Sequence, residues 1–148
     1  MRHIFSSLIS ISVIAPVCAQ DARWTQLPEL PTPISNNAVT SVDQGDGTWT
    51  VYSFMGMRPP STTLADATLN SYRLDWPGGQ WEQIADAPED SRGRAKVAAS
   101  AVTVAGEVYL IGGYSPARNE ITEKRLFRYE PDTDTYAQLA DVPTEVDD

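Results

Sequence analysis

The chain has 148 residues, 41 % hydrophobic and 21 % charged, which suits one ordinary globular domain with its own core rather than a disordered chain. Eleven Lys and Arg face twenty Asp and Glu, a net charge of −9; that balance disfavours nucleic acid and anionic membrane surfaces, both of which are bound by basic side chains. A single Cys excludes an internal disulfide, and a single His removes the commonest imidazole metal sites.

Residues 1–19 read as an export signal. A short basic start (Arg2, His3) precedes the apolar run 4–14, and the small residues Val17 and Ala19 stand where a signal peptidase reads its substrate. The run is shorter than the roughly 20 residues a bilayer span needs. Ala15, Pro16 and Val17 match poorly the pattern that precedes a lipidated Cys. Cleavage after Ala19 would release the chain to the periplasm or the exterior, taking Arg2, His3 and Cys18 with it. What remains carries ten basic and twenty acidic side chains and neither Cys nor His. A dithiol, a Cys or Ser–His nucleophile and a metal site with N/S ligands all lose their essential groups. No cofactor and no metal are expected.

Beyond the leader the chain repeats itself. Trp24, Gln26, Leu27 and Pro31 recur as Trp81, Gln83, Ile84 and Pro88, then as Tyr136, Gln138, Leu139 and Pro143, at spacings of 57 and 55 residues. Between these markers, alternating apolar and β-branched residues predict strands at 37–42 and 48–54, joined by a turn at 43–47. The second unit predicts strands at 97–104 and 108–111 around Ala105-Gly106. Each unit then offers a third strand, at 71–75 and 125–130. Turns at 76–79 and 131–134 lead into fourth strands at Trp81 and Tyr136. No segment beyond the leader shows helical periodicity. Four short antiparallel strands per unit of about 50 residues describe a propeller blade.

Here the chain resembles the kelch-repeat family. The resemblance rests on the run 108–111 before Gly112-Gly113, then Tyr129, then Tyr136 in the place of the family's Trp. The first unit is degenerate, with Met55 where the first Gly of Met55-Gly56 belongs, and its aromatic pair, Tyr72 and Trp81, is spaced wider. The resemblance implies an all-β kelch-type β-propeller. In this chain it would be incomplete: about two four-stranded blades plus an N-terminal strand at 20–31 that would complete the last blade of a closed ring. Blades are expected at 32–88 and 89–143, with a third repeat starting at 144–148. A closed propeller needs about 4 to 8 blades. The chain is therefore expected to be the N-terminal portion of a longer propeller, with self-association as the alternative. The glycines serve turns, and the aromatics, Trp81, Tyr129 and Tyr136 among them, are framework that fills the gap between blades.

Ligands of propellers meet the connections that follow the repeated Pro. These carry Asn36 and Asn37, then Arg92, Arg94 and Lys96, then Asp147 and Asp148. The resemblance implies an Arg facing the ligand after this Pro, a place that Arg92 or Arg94 matches. A guanidinium fork suits a carboxylate or sugar acid; the structural alternative pairs these cations with Glu89, Asp90 or a neighbouring blade. Asp43, Asp46, Asp132 and Asp134 lie in predicted turns, where Asp caps its own backbone, and lack the spacing of a calcium loop. The long polar loops 58–70 and 114–124 are further candidates for specificity. Two functions remain open. One is a non-catalytic recognition module for a glycan or protein on the channel face. The other is part of a carbohydrate enzyme like the sialic-acid mutarotases of the family, whose catalytic carboxylate is not assignable here. Copper chemistry of the galactose-oxidase kind lacks its ligands.

Overall fold

The computed structural model describes residues 24–147. The leader expected at 1–19, and Asp148, lie outside them. The first blade opens with β1 (Ala38–Asp43) and β2 (Trp49–Phe54), an antiparallel hairpin with Ala38 opposite Phe54 and Asp43 opposite Trp49. The hairpin turn forms as the sequence predicts: Asp43 and Asp46 each accept an N–H two residues on, from Gly45 at 2.8 Å and Thr48 at 2.9 Å. Next come β3 (Gly56–Met57), a single 3₁₀ turn at Leu64–Asp66, and β4 (Ala67–Thr68), which pairs with β3. β5 (Ser71–Trp76) runs back along β2 and β6 (Glu82–Ile84) along β5, giving a sheet in the order β1-β2-β5-β6.

The second blade repeats this plan with β7 (Ser100–Val104), β8 (Glu107–Ile111), β9 (Leu126–Glu130) and β10 (Thr135–Gln138), in the order β7-β8-β9-β10. The strand expected from residue 97 begins only at Ser100. Ala98 takes a left-handed φ of 53°, and Val97 bridges to Tyr114 instead. Residues 24–34 carry no strand. A strand exists only by pairing, and no described strand lies beside Trp24, which is 99 % exposed. The segment is held where Trp81 Nε1 donates to Pro28 O at 2.8 Å.

Alternation along the strands sends Tyr52 and Phe54 to one face of the first blade, and Val108, Leu110, Phe127 and Tyr129 to the facing side of the second, where they form one buried cluster. Tyr129 meets Tyr52 edge-on at 5.6 Å and Phe54 at 5.9 Å between ring centroids, and Phe54 meets Tyr136 at 6.4 Å. Polar bonds close the seam at both margins. Thr40 and Thr103 hydroxyls lie 3.0 Å apart between the innermost strands. At the outer margin Asp134 Oδ1 accepts both Tyr129 OH and Ala85 N at 2.8 Å, while Tyr136 OH donates to Ala85 O at 3.1 Å. Thus Asp134, read as a turn residue, also clasps the two blades.

Gly112 and Gly113 end β8 with φ of 65° and 87°. A Cβ on Gly113 would stand 2.8 Å from Val97 O, and one on Gly112 would collide with the Val146 carbonyl. The pair therefore admits two neighbouring backbones as well as a turn. Among the described residues no helix is long and apolar enough to cross a membrane.

Candidate functional site

Strand direction alternates, so each blade has two ends. The β1–β2 and β5–β6 turns lie at one end; the β2–β5 and β8–β9 loops gather with the blade-to-blade connections at the other, the loop end. The described candidates drawn from the sequence belong to the loop end.

The connection between the blades is organised by Asp90, which is 2 % exposed. Its Oδ1 accepts the Arg92 and Arg94 N–H groups, both at 2.9 Å, and its Oδ2 accepts Arg94 Nε at 2.8 Å. Burial pushes the Asp90 carboxyl up, but the Arg94 guanidinium and the two backbone donors outweigh it and hold the group below its ordinary range. Arg94 is therefore committed to its own connection. Arg92 is exposed, and its guanidinium makes no hydrogen bond to a described residue.

Behind this turn lies a second, wholly buried charge. Lys96 is 1 % exposed; its Nζ donates to Gly112 O at 3.0 Å and stands 5.3 Å from the centre of the Phe127 ring. Burial and the nearby Arg125 charge bring it down to about 8, against the pull of Glu123 and Asp90. Glu123, also buried, accepts Arg125 Nε at 2.7 Å and Ser91 N at 2.6 Å. Burial pushes its carboxyl up, and those two donors hold it below its usual value. Arg125 Nη2 reaches Glu89 O at 2.6 Å. This network fastens the connection to the second blade. A run such as Glu123-Lys-Arg125 in a polar loop reads as a solvated face, so nothing in the sequence announces that Glu123 is buried.

At the blade seam the loop end opens a cavity of about 210 Å³ walled by Asn36, Ser61, Thr62, Thr63 and Tyr114, with Met57 and Val97 among its apolar lining. Asp66 Oδ2 accepts the Thr62 and Thr63 N–H groups, each at 2.9 Å, and so fixes that wall. Asn36 and Ser61 hold left-handed φ of 53° and 61°, and Ala98, beside Val97, also has 53°. Such non-glycine conformations cost about 1–3 kcal/mol each and gather where a ligand must be met. Between the lining residues Tyr114 and Pro116, the buried Ser115 Oγ makes no hydrogen bond to a described residue. Asn36 O accepts Ala98 N at 3.1 Å, the one blade's backbone bonding the next.

Of the amide pair, Asn36 thus lines the cavity, while Asn37 Nδ2 donates to Ser53 Oγ at 2.9 Å and braces β2. Asp147 Oδ2 accepts Thr122 Oγ1 at 3.2 Å on the β8–β9 loop. The structure brings Asn36 to a cavity and leaves Arg92 exposed on the connection that also supplies Val97; it does not gather the five described candidates into one site, and Asp148 lies outside the described residues. The hydroxyl wall comes from the long loops 58–70 and 114–124, candidates for specificity in which the sequence singles out no residue of this wall.

The kelch-motif family model matches residues 95–143. Among solved structures, that of YjhT is similar, with a TM-score of 0.58 and 23 % identity over 82 % of this chain. The match covers 32 % of that structure's chain, so the present chain spans about a third of its length. At that identity the likeness shows the fold. No curated protein matches the chain. Two sheets of matching strand order, packed through aromatics and joined by a Pro-marked connection, have the fold of two blades of a kelch-type β-propeller, and residues 95–143 carry the kelch motif.

Proposed function

We propose that the chain is part of an exported recognition module whose loop end binds a glycan at the blade seam. The observation that carries this reading is the cavity itself. Its polar wall is made of hydroxyls and one amide, without a charged side chain, and its backbone is held in left-handed conformations at Asn36 and Ser61. Hydroxyl and amide groups both donate and accept, as sugar hydroxyls require. Arg92, exposed on the adjoining connection, adds a fork for an acidic sugar. Mutarotation of N-acetylneuraminate, the alternative, would use an arginine for the substrate carboxylate and a carboxylate as acid and base. Arg94 is already taken by Asp90, so the weight lies with recognition.

Retention of the full chain on a glycan array tests the proposal, followed by titration of the best glycan. Asn36→Ala should weaken binding about 10-fold, the loss of one well-made hydrogen bond to a ligand. No retained glycan, or affinity unchanged in both Asn36→Ala and Arg92→Ala, overturns the loop-end site; capture of a protein instead replaces the ligand class. Export is checked by terminal sequencing of the secreted chain, which should begin at Gln20.

A further inference from the structure

The opposite end of the first blade, where β1 turns into β2 and β5 into β6, holds a separate cleft of about 430 Å³. Its walls include Trp49, Trp76, Arg73, Asp75, Thr50 and Gln44. Trp49 and Trp76 stand directly opposite each other in the β2–β5 ladder, and so do Thr50 and Asp75 one step along. Adjacent strand positions face opposite ways, so the cleft wraps the end of the ladder, with the indole pair on one side and the polar pair on the other. Trp49 is 41 % exposed although it sits within a strand. Burying a large aromatic is among the stronger gains available to a sheet, and here much of it is left in water.

The polar side is a wired row. Gln44 Nε2 donates to Thr50 Oγ1 at 3.1 Å, Thr50 Oγ1 to Asp75 Oδ1 at 3.0 Å, and Arg73 Nη2 to Asp75 Oδ2 at 2.6 Å. The row fixes each group yet leaves capacity unused. The Arg73 side chain is 34 % exposed and its fork has more N–H groups than the one given to Asp75, and Asp75, whose side chain is 60 % exposed, keeps further lone pairs. The result is an acceptor and a donor side by side, with apolar indole surface next to them and no net charge.

That chemistry selects its ligand class. A cation would meet Arg73 and an anion would meet Asp75, each at a repulsive charge. An apolar ligand would leave the row unpaired. Vicinal hydroxyls of a neutral sugar satisfy both groups at once, one donating to the carboxylate and its neighbour accepting from the guanidinium, while the C–H face lies on indole. We propose that this cleft is a second binding site, for a neutral saccharide, separate from the loop-end cavity.

The test is ¹H–¹⁵N NMR of the indole N–H groups of the full chain, titrated with cellotriose, maltotriose and mannotriose. The expected result is a saturable shift of the Trp49 and Trp76 signals with at least one of the three, while Trp24 and Trp81 stay in place. Trp49→Ala should abolish the Trp76 shift, and Asp75→Asn, which keeps the shape of the side chain, should weaken binding about 10-fold. An unmoved signal of Trp81, whose indole N–H is bonded to Pro28 O, establishes in each variant that it is folded. Asn36→Ala should leave these shifts intact, which separates this site from the loop end. Trp49 and Trp76 signals unmoved by all three sugars, or a Trp76 shift that survives Trp49→Ala, would overturn the proposal.

Discussion

Met55 stands where the second blade has Gly112, and each donates its N–H to the residue just before the third strand of its blade's sheet, Asn70 O before β5 and Arg125 O before β9, both at 3.1 Å. The place demands a left-handed backbone, φ 44° in Met55 and 65° in Gly112. A methionine there bears strain in exchange for a fully buried side chain in the central cluster, so the degenerate first repeat keeps the geometry while losing its glycine. The second glycine has no such exchange open to it. Gly113→Ala should destabilise the chain by about 2–3 kcal/mol, since the new Cβ meets Val97 O and φ remains left-handed; urea unfolding would measure this. Lys96 makes a different kind of residue-scale statement. Its amine titrates near 8 in the folded chain and at 10.5 when unfolded, so between those values the unfolded chain binds more protons and stability rises with pH. The gain from pH 8 to pH 10 should be about 2 kcal/mol and absent in Lys96→Met. Above about pH 10 the trend reverses. Burial raises Tyr129 and Tyr136, which then hold their protons in the folded chain after the unfolded chain has released them. Paired urea titrations of the two proteins across this range give the comparison.

The strands were legible because two-residue alternation and turn chemistry act within a few neighbours. The 43–47 and 131–134 turns, the paired order of strands and the aromatic filling between the sheets all follow from the pattern. Two things did not. Trp24–Leu27 has the pattern of a strand, yet pairing is a property of two segments, and no described strand pairs with it. The partner of Asp134 was equally out of reach, since its carboxylate binds Ala85 N, 49 residues away. Of the site, Arg94 had two readings open to it, a ligand or Asp90, and the fold of one turn decides for Asp90. Asn36 was found through its position after the repeated Pro, while Ser61 and Tyr114 reach the cavity only because two distant loops end at the same place. The Asp134 clasp gives a prediction at this scale. Asp134→Ala removes the acceptor from both Tyr129 OH and Ala85 N and should cost about 2 kcal/mol, whereas Tyr129→Phe should cost about 1 kcal/mol, read from thermal or urea unfolding. A double-mutant cycle should give less than the sum, because the two changes remove one shared bond.

At the scale of the whole molecule, each blade turns one face to the seam and the other outward. Val39 (54 % exposed) and Trp49 share the outward face of the first blade, and Val104 (56 %) lies on that of the second. Apolar sheet faces in water favour association. The 148-residue chain should sediment with a concentration-dependent size in analytical ultracentrifugation, and Val39→Glu with Val104→Glu together should return it to a monomer. The seam itself has a further consequence. Asn36 receives the hydrogen bond that Ala98 gives, and both residues hold the same φ of 53°, so two equivalent positions meet by unlike groups. A contact of that kind contains no number: the acceptor at Ala98 and the donor at Asn36 are left for further copies of the same link. Duplication of a single gene segment encoding 55 to 57 residues would therefore insert a whole blade without inventing an interface, and only the angle between neighbours decides at which count the ring shuts.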